Sequence, residues 1–175
     1  MSNLKPKTLE EIVEKGTNLT ECLKEFLPHI NSEQDELKKL ILRVEAIEDF
    51  DELMKPFRKL LSKFDATEDF FKIPFEMEGQ LNAFRFFAQN SVSDCYEELK
   101  KNKKRIDELE EKLISIGEKM VDVDPNNLGI KEYKNAINYR YEFMIGNIDY
   151  YSLYGFHYGL KWCFGLCDDL QLLNL

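Results

Sequence analysis

One stretch decides most of what this chain can become. Residues 133–170 hold seven of the eight tyrosines, the single tryptophan and glycines at 155, 159 and 165. Tyr133, Ile137, Tyr141, Met144, Ile148, Tyr151, Gly155, Tyr158, Trp162 and Leu166 advance by fours and threes, the spacing that lines one face of an α-helix. From Tyr150 onward the other faces are apolar too, through Leu153, Phe156, Leu160 and Phe164. A helix of that kind is enclosed on several sides, so the remaining residues must supply its neighbours.

The neighbours read as helices as well. Thr8 and Glu11 have capping-box spacing ahead of a stripe running from Leu9 to Leu27, which Pro28 is expected to end. A second helix is expected from Asn31 or Ser32 through Ile47, and a third piece to Phe64 that carries Pro56. Residues 65–75 read as a connecting strap, because Pro74 biases Ile73 toward extended geometry. Phe70, Phe71, Ile73 and Phe75 are expected to tuck that strap into the body. Residues 76–120 form the longest periodic segment, with an unbroken coiled-coil seam from Val92 to Met120 interrupted only by polar Asn102. Phe84, Ala88 and Val92 take two steps of four in a row, a stutter in that seam. Residues 121–129 carry Pro125, Asn126, Asn127 and Gly129 and read as a reversal.

The expected fold is therefore all-α. A long antiparallel helical hairpin (76–120 against 130–170) carries shorter N-terminal helices packed on it, in one helical domain over residues 1–175 (N-terminal helices 1–64, strap 65–75, hairpin 76–170). A chain of 175 residues, 43% apolar and 33% charged, can bury such a core without disulfides or metals. Cys22, Cys95, Cys163 and Cys167 read as free structural thiols. No 18-residue window is free of charge, the opening Met-Ser-Asn-Leu-Lys has no apolar stretch behind it, and a cytoplasmic protein is expected.

Chemistry is sparse. Asp122, Asp124 and Asn126 imitate the start of an EF-hand loop, but Asn127 stands where Gly is needed and Tyr133 where a bidentate Glu is needed. His29 and His157 each lack the Glu three residues earlier that builds carboxylate metal sites in bundles. Glu10, Glu11 and Glu14 imitate the first acidic motif of all-helical nucleotide pyrophosphohydrolases without a matching downstream partner. No phosphate loop, nucleophile elbow or dinucleotide fingerprint is present. The reading is a non-enzyme that needs no cofactor and no metal. Gly155 and Gly159 are expected to mark the close approach of another backbone, and His157 reads as a core or interfacial histidine.

What remains is charge. The net charge of −9 argues against direct nucleic-acid binding, which needs clustered positive charge, and the aromatic helix is too poor in Lys and Arg to read as a membrane-surface segment. Glu45, Glu48, Asp49, Asp51 and Glu52 crowd five acids into eight residues with no base among them, followed at a distance by Asp65, Glu68, Asp69, Glu76 and Glu78. Lys100, Lys101, Lys103, Lys104 and Arg105 form the one strong basic cluster, with helical pairs expected of Glu97 with Lys101, Lys103 with Asp107 and Lys104 with Glu108. The expected function is protein binding. An inhibitor, immunity factor, antitoxin or mobile-element anti-defence protein would cover a basic, nucleic-acid-binding surface with the acidic patch, Lys100, Lys101, Lys104 and Arg105 serving as a second contact group. The alternative is a coiled-coil homodimer, a scaffold or adaptor, built on the 76–120 seam; a metal-dependent nucleotide hydrolase stands third.

Overall fold

The computed structural model describes the backbone of residues 5–121 and 129–168, and the side chains of all of these except 50, 57, 60–71 and 121. The described residues form four α-helices and no strand: α1 (Leu9–Ala46), α2 (Phe50–Gln89), α3 (Val92–Val121) and α4 (Ile130–Cys163). The expected turn over 122–128, with its calcium-like spacing, lies outside the described residues, as do the strap's Phe70 and Phe71 side chains.

α1 is one helix where two were expected. It starts with a complete capping box, Thr8 Oγ1 accepting from Glu11 N and Glu11 Oε2 accepting from Thr8 N, and it runs through Pro28 without stopping. The buried residues explain why: Ile12, Leu19, Leu23, Ile30, Leu37 and Val44 are spaced by sevens and one four, so the stripe stays in phase across the proline. A proline inside a helix costs about 3 kcal/mol, whereas each fully buried aliphatic side chain beyond it returns roughly 1.5–3 kcal/mol. Packing wins.

A like correction applies to α2, which carries Pro56 within it and continues past Phe64 through Pro74, absorbing residues 65–75 as helix. The strap does tuck in: Phe75 packs against one half of the core and Ile73 against the other. The chain instead reverses at Asn90–Ser91, inside the segment expected to be one long helix. Asn90 is extended and its Nδ2 donates to the Phe86 carbonyl. Ser91 Oγ then accepts from Asp94 N at 3.1 Å, the bond of a serine cap. The stutter at Phe84, Ala88 and Val92 falls on this break.

α4 lies between the other helices. Glu76 backbone rests on Gly155 and Gln80 on Gly159, while Phe84 meets Trp162 at 5.3 Å and Phe87 meets Phe164 at 5.1 Å between ring centroids. Residue numbers rise together, so the end of α2 runs parallel to α4. Along α3 they run oppositely: Gly117 sits beside Phe143, Leu113 beside Gly146, Glu110 beside Tyr150 and Tyr96 on Phe164. The antiparallel hairpin is therefore α3 with α4, and residues 76–89 flank it as part of α2. The seam expected for a coiled coil is turned onto α4: Cys95, Asn102, Ile106, Leu113 and Ile116 are buried, whereas Val92 is 61% exposed.

Gly79 and Gly155 set how close α2 and α4 come. A Cβ on Gly155 would meet the Glu76 carbonyl, and one on Gly79 the Ser152 carbonyl, so both crossing points admit only glycine. At its other end α4 stops at Cys163, short of the expected residue 170. Gly165 takes φ 71°, a left-handed cap, and the Cys163 carbonyl accepts from Lys7 N at 2.9 Å as the chain's start crosses over.

Candidate functional site

The acidic residues gather at the end of the bundle where α1 hands over to α2. Glu45, Glu48, Asp49, Asp51 and Glu52 are all exposed. Asp49 has a folding role, since its Oδ1 accepts from Asp51 N at 2.8 Å and Glu52 N at 3.2 Å and so caps α2. Asp51 and Glu52 stand in the first turn, where the helix dipole favours carboxylates. Glu45 is different. It stands in the last turn of α1, where that dipole disfavours a negative charge. The Glu45 carbonyl accepts from Lys134 Nζ at 3.1 Å, which pins the start of α4 beneath this surface.

Glu76 and Glu78, read in the sequence as a distant extension of that surface, separate. Glu78 is exposed, but Glu76 is 4% exposed and packed into the α2–α4 crossing. Asp65, Glu68 and Asp69 side chains lie outside the described ones.

The basic cluster occupies the outer face of α3. Lys103 pairs with Asp107 at 2.8 Å, Lys104 with Glu108 at 3.9 Å, and Lys100, in place of the expected Lys101, with Glu97 at 3.4 Å. Arg105 reaches Glu98 and the Asn102 amide oxygen, each at 3.4 Å. Lys101 is exposed. The structure does not bring this cluster together with the acidic end. Lys100 to Arg105 lie beside the second half of α4, near His157, whereas the acids lie by its first turn.

Polar groups also lie inside the bundle, with few signs of them in the sequence. On the α2 side of α4, burial pushes the Glu76 carboxyl up to about 7, against a smaller opposing pull from Lys72. Gln80, one turn on, is buried with its Oε1 unpartnered. On the α3 side, burial and then Lys161 and Lys103 lower the His157 imidazole from its ordinary value, so it is neutral at pH 7. Its one ring partner is the Leu99 carbonyl, Nδ1 having none, so Nε2–H is the donor. Asn102 is buried nearby with Nδ2 unpartnered. Tyr150, Tyr154 and Tyr158 run along a third strip of α4, with 6.0 and 4.4 Å between successive ring centroids. Burial and then a bond to Tyr158 push Tyr154 up to about 12; Tyr150 is raised further by burial and by its 2.8 Å bond to Glu110. The signals in sequence were Asn102 on an apolar seam and His157 among aromatics. Nothing in the sequence marks Glu76 or Gln80, whose places opposite Gly155 and Gly159 are set by the fold.

None of the four cysteines is in a disulfide, and Cys95, Cys163 and Cys167 are buried and Cys22 partly so. Burial, then neighbouring Cys95 and Cys167, pushes the Cys163 thiol up to about 12, which leaves it a poor nucleophile. Among the described residues, no group of three or more His, Cys, Asp and Glu is placed to hold a metal ion, and no helix is long and apolar enough to cross a membrane. Comparison with protein-family models, with curated proteins and with solved structures returns no match.

Proposed function

We propose that this protein binds another protein, without catalysis of its own, by laying the acid-rich end around residues 45–52 over a basic surface, as an inhibitor, immunity factor, antitoxin or anti-defence protein does. One observation carries the reading: Glu45 and Glu48 extend an exposed cluster of carboxylates beyond what helix capping needs. Asp49, Asp51 and Glu52 serve the start of α2, but Glu45 opposes the dipole of its own helix. A charge that costs folding and stays exposed is best explained by a partner. The basic nucleic-acid-binding surfaces of defence effectors are one class of such partner. The competing homodimer reading is weaker, because the 76–120 seam it relies on is split between α2 and α3 and its 92–120 part is packed on α4.

The test is affinity capture from a native lysate on immobilised protein, wild type beside Glu45→Lys/Glu48→Lys. Asp49 is left intact to keep the cap. A protein held by the wild type, lost from the variant and eluted by high salt is the expected result; the same proteins on both columns would refute the proposal.

A further inference from the structure

We propose that α3 is an acid-released arm, held on α4 through a neutral His157 and set free when that imidazole takes a second proton. α3 packs along α4, meets α2 beside the Asn90–Ser91 reversal, where Cys95 Sγ approaches the Phe86 carbonyl, and makes no helix-to-helix contact with α1 among the described residues. Its hold on the body is one helix face.

His157 stands within that face, 9% exposed. In the neutral ring Nε2–H donates to the Leu99 carbonyl of α3 and the Nδ1 lone pair has no partner. A second proton would place an N–H on Nδ1, a buried donor with no acceptor, in a ring now charged. The groups around it offer no compensation. Lys161 on α4 and Lys103 on α3 repel the charge, and Asp107 on α3 is engaged by Lys103 at 2.8 Å. Tyr158 presents its ring at 86° to the imidazole, 5.5 Å away. Asn102, also buried on the α3 side, brings a second unpartnered donor, Nδ2. The imidazolium is therefore favoured wherever it can reach water, and the smallest opening that delivers water is the lifting of α3.

The opposite face of α4 responds in the other direction. Glu76 is buried against Gly155, with Lys72 on its own helix and Tyr154 on α4 as its charged or titratable neighbours. Acid neutralises that carboxyl and relieves its burial, so the α2–α4 crossing tightens while the α3–α4 face loosens. The apolar seam of Leu99, Ile106, Leu113 and Ile116 is what the movement uncovers. The device is separate from the acidic end, which lies by the first turn of α4.

The chain has two histidines, and His29 on the outside of α1 serves as the internal comparison. Amide exchange, corrected for intrinsic rates, is measured on the full chain at about pH 7.5 and about pH 5, below the ordinary histidine value. Protection over residues 95–120 should fall at least roughly tenfold in acid, a shift of about 1.4 kcal/mol in the opening equilibrium, while residues 76–89 keep or gain protection. His157→Gln, which keeps a neutral N–H for the Leu99 carbonyl, should abolish the fall. Unchanged protection of α3 in the wild type, or a fall that persists in His157→Gln, would overturn the proposal. Should that variant not fold, NMR titration of the two imidazoles in the wild type decides: His157 gaining its proton without any change in α3 exchange overturns it equally.

Discussion

Glu76 shows how one buried group sets a pH dependence. Its carboxyl is raised from 4.5 to about 7 by burial, so folding takes up a proton. The stability it allows is complete below pH 4.5, declines as pH rises toward 7 and is lost above that. Glu76→Gln should therefore raise stability at about pH 8 by at most about 3 kcal/mol and change it little at about pH 4, read from urea midpoints at the two pH values. His157 has the opposite sign: its folded form is held neutral, and its contribution is lost as pH falls below the ordinary histidine value. Nothing in the sequence separates Glu76 from exposed Glu78 two residues later. Both belong to an acidic run, and only the placement of Gly155 opposite Glu76 decides which is buried. Asn102 and His157 were more legible, because a polar residue on an apolar stripe has few places to go.

At the scale of the helix, the glycines make the sharpest comparison. Gly155→Ala would drive a methyl into the Glu76 backbone and Gly79→Ala into the Ser152 carbonyl. Backbone cannot yield as a side chain can, so each should lose several kcal/mol, on the order of 3 or more, in thermal or urea unfolding. Gly117→Ala is the control. Its Cβ would meet only the edge of Phe143, at 3.7 Å, and the gain in helix propensity should stabilise the protein by up to about 1 kcal/mol. Ser91→Ala removes the cap of α3 and should cost about 1 kcal/mol in the same assay.

These elements also show why helix content was legible and helix boundaries were not. Apolar spacing finds the bulk of each helix but misses the helical backbone around Pro28 and over residues 65–75, while the Thr8 capping box and the close approach at the paired glycines of α4 are present as expected. Pro28 reads as a stop, Pro56 as a kink or first-turn residue and Pro74 as part of an extended strap, because local propensity disfavours proline inside a helix, yet the stripe stays in phase across Pro28 and tertiary burial overrides the penalty. At Asn90–Ser91 the reverse happened. No proline or glycine marks the turn, and the asparagine bond and serine cap that make it, together with the stutter, were outweighed by an otherwise continuous apolar period.

For the whole molecule, the decisive feature is separation. α4 sits between α3 on one face and α1 and α2 on others, and its tyrosine-rich length is used for packing. The acid-rich end lies by its first turn, apart from the basic stretch of α3. The acidic residues of the proposed binding surface can be read from sequence as a cluster; which of them fold the protein and which are left over cannot. Glu45 is the one that divides these roles. Glu45→Lys should raise stability by about 0.3–1 kcal/mol, since a cation suits the last turn of a helix, and the same change should weaken binding. A substitution that helps the fold while harming the interaction is the signature of a residue kept for its partner.

The most direct measurement is the rate at which the captured partner associates with wild type and with Glu45→Lys/Glu48→Lys across ionic strength. A tenfold or greater slowing of the variant at roughly 50 mM salt that vanishes near roughly 500 mM, where screening is nearly complete, is what the acidic-surface account predicts. Equal rates for both proteins at low salt would contradict it.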